Sequence, residues 1–256
     1  MKLSQKERDA LKDSFRNMSL AEKAEYIWAY FKLPIVLSVV AVAFLISTVY
    51  REVTRKEVLL YTAHINVTVG EDLEARLIGN FVPVTGADPK KAEVSLDAGL
   101  YLSDDPSVEN HEYSYASKLK LMASIEAKQL DVVLMNREGY DLVSQEGYLL
   151  DLDALLSSDE SLYRQIEPYL TNNTVILEDN AIEYALNEAQ RYHAVTEEAA
   201  NGIDITSLPM FQEAGFSDHV YLGVIANSPR LPAVIQYIGY LAAANSTEGN
   251  YGNRET

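Results

Sequence analysis

Residues 118–156 read KLKLMASIEAKQLDVVLMNREGYDLVSQEGYLLDLDALL. Their centre, Asp131–Met135 (DVVLM), is a short apolar run between polar neighbours, which predicts a buried strand rather than a helix. A helix leads into it over about 113–130, where Ala116, Leu119, Ala123, Ala127 and Leu130 fall on one stripe at helical spacing. A second helix leaves it near Glu138–Gln145, and Leu149–Leu156 reads as helical turns.

Upstream, Val58–Ile65 (VLLYTAHI) is strand-like, Glu71–Phe81 reads as a helix with acidic residues at its start, and Glu93–Leu102 alternates in part as a strand does. Strand–helix–strand–helix–strand–helix is the signature of an open α/β sheet. Downstream, Glu160–Leu170 reads as helical, while Thr174–Leu177 and Tyr192–Thr196 read as short strands. His219–Ala226 is a further strand candidate. Leu231–Ala243 is a helix with Pro232 in its first turn and Val234, Ile235, Ile238 and Leu241 inward. The expected domain is 57–243, with 244–256 a flexible tail.

Ahead of this domain, Leu33–Tyr50 (LPIVLSVVAVAFLISTVY) is free of charge. At ~1.5 Å per residue it spans roughly 27 Å, enough for one crossing of a bilayer's hydrocarbon core. Trp28, Tyr30, Lys32 and Tyr50 flank it as membrane-interface residues. A cleaved signal peptide would have an unusually long basic region here and lacks a small-x-small site after its apolar core. Residues 1–32 then form a cytoplasmic juxtamembrane segment. Within it, Ser19-Leu20-Ala21-Glu22 is a capping box that starts a helix running toward the membrane.

Charge gives the orientation. Seven Lys/Arg precede the span and only Arg51, Arg55 and Lys56 follow closely, which predicts a cytoplasmic N-terminus and an extracytoplasmic domain at the cell membrane. Residues 1–56 carry ten Lys/Arg against six Asp/Glu, a net +4; residues 57–256 carry eleven against thirty-two, a net −21. So acidic a domain repels phosphate backbones, which excludes nucleic acid as its partner. There is no cysteine, hence no disulfide, thiolate metal site or lipid-anchor cysteine.

The segment quoted above resembles the central part of extracellular solute-binding proteins with the type 2 periplasmic-binding fold. The residues that carry the resemblance are Gln129-Leu130-Asp131-Val132-Val133, Gln145-Glu146-Gly147 and Leu150-Asp151-Leu152; Val220–Ser228 with its following helix is similar to a later strand of the family. The anchored N-terminal portion looks like membrane proteins of Gram-positive anaerobes that carry such a domain behind one helix. The resemblance implies a compact α/β domain of the type 2 kind, with a small second lobe over about 157–218 and a cleft between lobes. It also implies a small solute, or an envelope transport system, as partner. The alternative is a protein-interaction or structural domain that keeps the fold without the ligand.

In such folds ligands meet the loops after strands and the N-termini of helices. Those positions are Asn66 and Thr68 after the first strand, Ser103 and Asp104 after the second, and Asn136 and Tyr140 after the third. Each also suits a turn or a cap. The four histidines lack metal-ligand spacing, and the aspartates near Asp151 lack the order of a calcium loop. No nucleophile elbow, phosphate loop or dinucleotide fingerprint occurs. The sequence thus predicts no metal, no cofactor and no enzyme.

Overall fold

The computed structural model describes residues 18–105, 110–186, 191–208, 211, 216 and 218–243. Residues 244–256, read above as a tail, fall outside that set. The chain divides into two compact units, Met1–Arg55 and Lys56–Thr256.

Among the described residues the first unit is one helix, α1 (Leu20–Thr54). The capping box is present: the Ser19 hydroxyl accepts from the Glu22 amide, and the Glu22 carboxylate accepts from the Ser19 amide. The stretch Phe31–Glu52 is long and apolar enough to cross a membrane, and none of it is buried by protein. Trp28, Lys32 and Tyr50 are exposed along it; the side chain of Tyr30 lies outside the described residues. Pro34 stands inside the helix rather than at its start, and the Ser38 hydroxyl donates to the Pro34 carbonyl at 2.8 Å.

The second unit is a six-stranded mixed sheet with helices on both faces. Its elements are β1 (Glu57–Ile65), α2 (Glu71–Glu74), a π-helical turn (Ala75–Gly79), α3 (Phe81–Val84), β2 (Ala92–Leu100), α4 (His111–Glu126), β3 (Val132–Met135) and α5 (Arg137–Gln145). There follow α6 (Leu152–Leu156), α7 (Glu160–Ile166), β4 (Leu170–Asp179), α8 (Ala181–Leu186), β5 (Ala194–Asp204), β6 (Tyr221–Val224) and α9 (Leu231–Ala243). The strand order is β2-β1-β3-β6-β5-β4. β2, β1 and β3 are parallel, whereas β6, β5 and β4 each run antiparallel to the neighbour before.

Alternation along β1 and β3 divides the core between the two faces. Leu60, Val132 and Leu134 pack with Leu222, Val224 and the apolar sides of α3, α6, α7 and α9. Ala63, Ile65, Val133 and Met135 point the other way, against Leu121 and Ile125 of α4 and Tyr140 and Val143 of α5. Runs apolar on both faces are what a central strand requires.

Two expectations are corrected here. The buried stripe of α4 is Ser114, Ser117, Leu121 and Ile125, not Ala116, Leu119, Ala123 and Ala127, which are exposed. Small serines let the helix approach β2, and their hydroxyls serve its loop: Ser117 Oγ accepts from the Tyr101 amide and Ser114 Oγ from the Ser103 amide. Leu130 is buried, but beyond the helix end at Ala127.

The second correction concerns residues 157–218. Their described residues do not build a separate lobe across a cleft, because β4 and β5 extend the same sheet beside β6. The two strands are also longer than the sequence suggests, at 10 and 11 residues. A buried polar set fixes them to α5. Tyr140 Oη lies 2.8 Å from Asn201 Oδ1 and 3.0 Å from the Thr171 carbonyl, its one proton shared between two acceptors. Asn201 Nδ2 donates to Ser144 Oγ, and Ser144 Oγ donates to the Thr174 carbonyl. The Tyr140 ring lies so close to β5 that a Cβ on Gly202 would stand 2.5 Å from it.

Candidate functional site

The C-terminal ends of β2 and β3 and the start of the antiparallel β6 lie at one end of the sheet. There an open depression of about 690 Å³ is lined by Asp104, Asn136, Arg137, Glu138, Asp141, Leu142, Gln145, Asp218, His219 and Tyr221. The strands set its floor and the first turns of α5 set one wall.

Asn136 leaves β3 in an extended conformation and caps α5, its side-chain oxygen accepting from the Gly139 amide at 2.9 Å. Arg137 follows in the first turn, where the helix dipole disfavours a cation. Two features offset that cost. Asp141, one turn on, accepts from its Nη2 at 2.9 Å and its Nε at 3.1 Å. The guanidinium also stands 5.7 Å from the Tyr140 ring centroid and 5.8 Å from that of Tyr221. The two rings are themselves stacked, 4.7 Å apart.

The opposite wall comes from the residues before β6. His219 Nδ1 lies 2.7 Å from Asp204 Oδ2, and the imidazole stacks on Tyr221 at 6.3 Å. The lining therefore carries four carboxylates (Asp104, Glu138, Asp141 and Asp218) against one guanidinium and one imidazole. Such a surface holds a cation more readily than an anion. Among the described residues no cluster of His, Asp and Glu could hold a metal ion.

No protein-family model matches the chain, and no curated relative matches it. Among solved structures it is similar to full-length OxyR of Pseudomonas aeruginosa (an aspartate-substituted variant), at 13% identity over 94% of this chain and 92% of that one. The TM-score is 0.30, so the architecture rests on the topology described above.

Of the six residues read as candidate ligand contacts, Asp104 and Asn136 line the depression. Ser103 stands behind it, donating to Glu138 Oε1 at 2.6 Å. Tyr140 is wholly buried; burial pushes its hydroxyl up to about 12, so it serves as a protonated donor within the fold, with only its ring beneath Arg137. Asn66 is a clip: its amide donates to the Leu102 carbonyl at 2.7 Å and its oxygen accepts from the Leu102 amide at 2.8 Å. It holds this place at φ 57°, a left-handed conformation that Asn tolerates. Thr68 is exposed outside the depression.

Sequence reasoning missed Arg137, Asp141, Asp218, His219 and Tyr221. For Arg137 and Asp141 a signal existed: an Arg in a first helical turn with an acid at i+4. For the others the necessary fact is the antiparallel direction of β6, which places the residues before that strand at this end of the sheet.

Proposed function

We propose that the protein is a single-pass membrane protein whose domain at 56–243 binds a small amine-bearing solute outside the cytoplasm. The observation that carries this reading is the acidic depression at the C-terminal ends of β2 and β3. Its volume falls within the roughly 300–1,000 Å³ usual for small-molecule sites. Its place agrees with the rule that open α/β sheets bind ligands beyond the carboxyl ends of their strands. An ammonium or guanidinium group would meet the carboxylates of Asp104 and Glu138.

Anchoring is supported by the unburied apolar span Phe31–Glu52, and orientation by the basic residues ahead of it. Kinship with type 2 solute-binding domains is supported by the quoted motifs, which fall at the start of β3, the end of α5 and the start of α6. A role beside an envelope transport system follows from that kinship.

The test is a thermal-shift screen of residues 56–256 against polyamines, basic amino acids, neutral amino acids and sugars. An amine at ~100 times its dissociation constant stabilises by about 2.7 kcal/mol, which raises the melting temperature of a domain this size by roughly 5–10 °C. The shift should vanish when Asp104 and Glu138 are changed to Asn and Gln. A cooperative melt that no solute moves would sink the reading. It would favour the second one, a protein-interaction domain, to which the exposed apolar residues of the β4–β5 hairpin point.

A further inference from the structure

β4 and β5 run together well past the elements that hold them. β6 pairs with β5 only at Ile203 and Asp204, at one end of the hairpin. The side chains of α5 fasten β4 as far as the Thr174 carbonyl. From Val175 paired with Glu197 to Asp179 paired with Ala194, the hairpin continues as a two-stranded arm, followed at its far end by α8. A two-stranded ribbon by itself is marginally stable in water.

This arm displays apolar side chains. Leu177 and Val195 are each 53% exposed, Ile182 is 75% and Leu186 83% exposed, and the Tyr184 and Tyr192 rings pair at 6.2 Å while half open. Among them stand Glu178, Asp179, Glu183, Glu197 and Glu198, with Arg191 the one Lys or Arg among the described residues of 175–198. Apolar residues grouped on an extension and interleaved with one sign of charge mark a docking surface.

We infer that this arm docks a protein segment that is apolar at its centre and carries Lys or Arg at its rim. Charge selects that occupant. A second copy would bring the same carboxylates into contact, and an anionic bilayer would be repelled. Strand addition is blunted as well: the β4 register skips at Leu177, between Ile176 and Glu178, and acidic residues follow at once. Contact is therefore through side chains and not through the strand edge.

The experiment uses the full chain in detergent with two fluorescent synthetic peptides. One is an amphipathic helix with Leu on one face and Lys on the other; its twin has Glu for every Lys. The Lys peptide should bind and the Glu peptide should not. The double variant Leu177→Ser/Val195→Ser should weaken the Lys peptide by at least about tenfold. Leu119→Ser/Met122→Ser, on the exposed face of α4, should leave binding unchanged. Glu178→Lys/Glu197→Lys should reverse the preference toward the Glu peptide, a gain that misfolding would not produce. Three results overturn the inference: equal weakening by the arm and α4 variants, no reversal by the charge swap, or dimerisation of the chain abolished by Leu177→Ser. Binding of residues 56–256 to vesicles with anionic lipid, lost in the arm variant, would overturn it in favour of a membrane surface.

Discussion

The two ends of β3 are built from the same ingredients and put to opposite uses. At its start, the Asp131 carboxylate is wholly buried and accepts from the Tyr61 amide at 2.8 Å, Ser228 Oγ at 2.6 Å and Arg230 Nε at 2.7 Å. The Arg230 guanidinium lies over the Tyr61 ring at 4.6 Å and donates to the Lys128 carbonyl. At its other end, Arg137 pairs with Asp141 over two tyrosine rings, but both partners remain partly in water beside the depression. The closed cluster ties the chain around α9 to β1 and β3, so it is a structural clamp. The open one contributes little to the fold and keeps its charges partly in water.

The largest effect should separate these two ends. Asp131→Ala strands Arg230 and Ser228 and removes an acceptor from the Tyr61 amide. Breaking a buried pair in this way costs about 3–5 kcal/mol. Urea unfolding of residues 56–256 measures it. A loss below about 1 kcal/mol would remove the distinction between clamp and open site.

Next in size is a pH dependence seated in β1. His64 lies by alternation on the same side as Leu60 and Thr62, and burial lowers its pKa from 6.5 to about 4. Between those values the unfolded chain holds a proton that the folded one refuses. Its contribution to stability is therefore intact above the unfolded pKa and falls as pH drops toward the folded one. The total is about 3 kcal/mol. His64→Leu should flatten that part of the stability profile, and an unchanged acid slope in the variant would place its origin elsewhere.

The hairpin attachment comes third. Tyr140→Phe leaves Asn201 Oδ1 without its donor inside the protein, and the expected loss is about 1–3 kcal/mol. Because Tyr140 bridges α5 and β5, hydrogen exchange should quicken in β4 and β5 before the parallel strands. Uniform exchange across the sheet would show that the hairpin is no separate unit.

That same hairpin marks where the sequence stops being legible. β1 and β3 announce themselves because strands buried on both faces are nearly all apolar. The helix after β3 does so through Asn136 at its cap, and its end through Gly147 at φ 72°. β5 is AVTEEAANGID, poor in β-branched and aromatic residues, so its strand state comes from pairing with β4 and β6. The α4 stripe misleads for a related reason: its serines face inward because their hydroxyls have backbone partners there. As for the site, Asp104 and Asn136 are readable because they follow strands. Tyr140 shares their neighbourhood, but its depth depends on a hairpin arriving about 30 and 60 residues later.

The smallest effect is the sharpest probe of the open end. Arg137→Ala removes a pair in which the arginine side chain is 57% exposed, so stability should change by no more than about 0.5 kcal/mol. Its effect on the depression is of another kind, since it leaves Asp141 with only its hydrogen bond from Asn173 Nδ2 and four carboxylates without the guanidinium among them. For an amine ligand, binding should therefore tighten, and the gain should shrink as salt rises. Weakened binding would mean that Arg137 itself meets the ligand, as it would for a solute whose recognised group is a carboxylate. Titration calorimetry on the wild-type and Arg137→Ala domains, at two salt concentrations, distinguishes these ligand chemistries by the sign of one change.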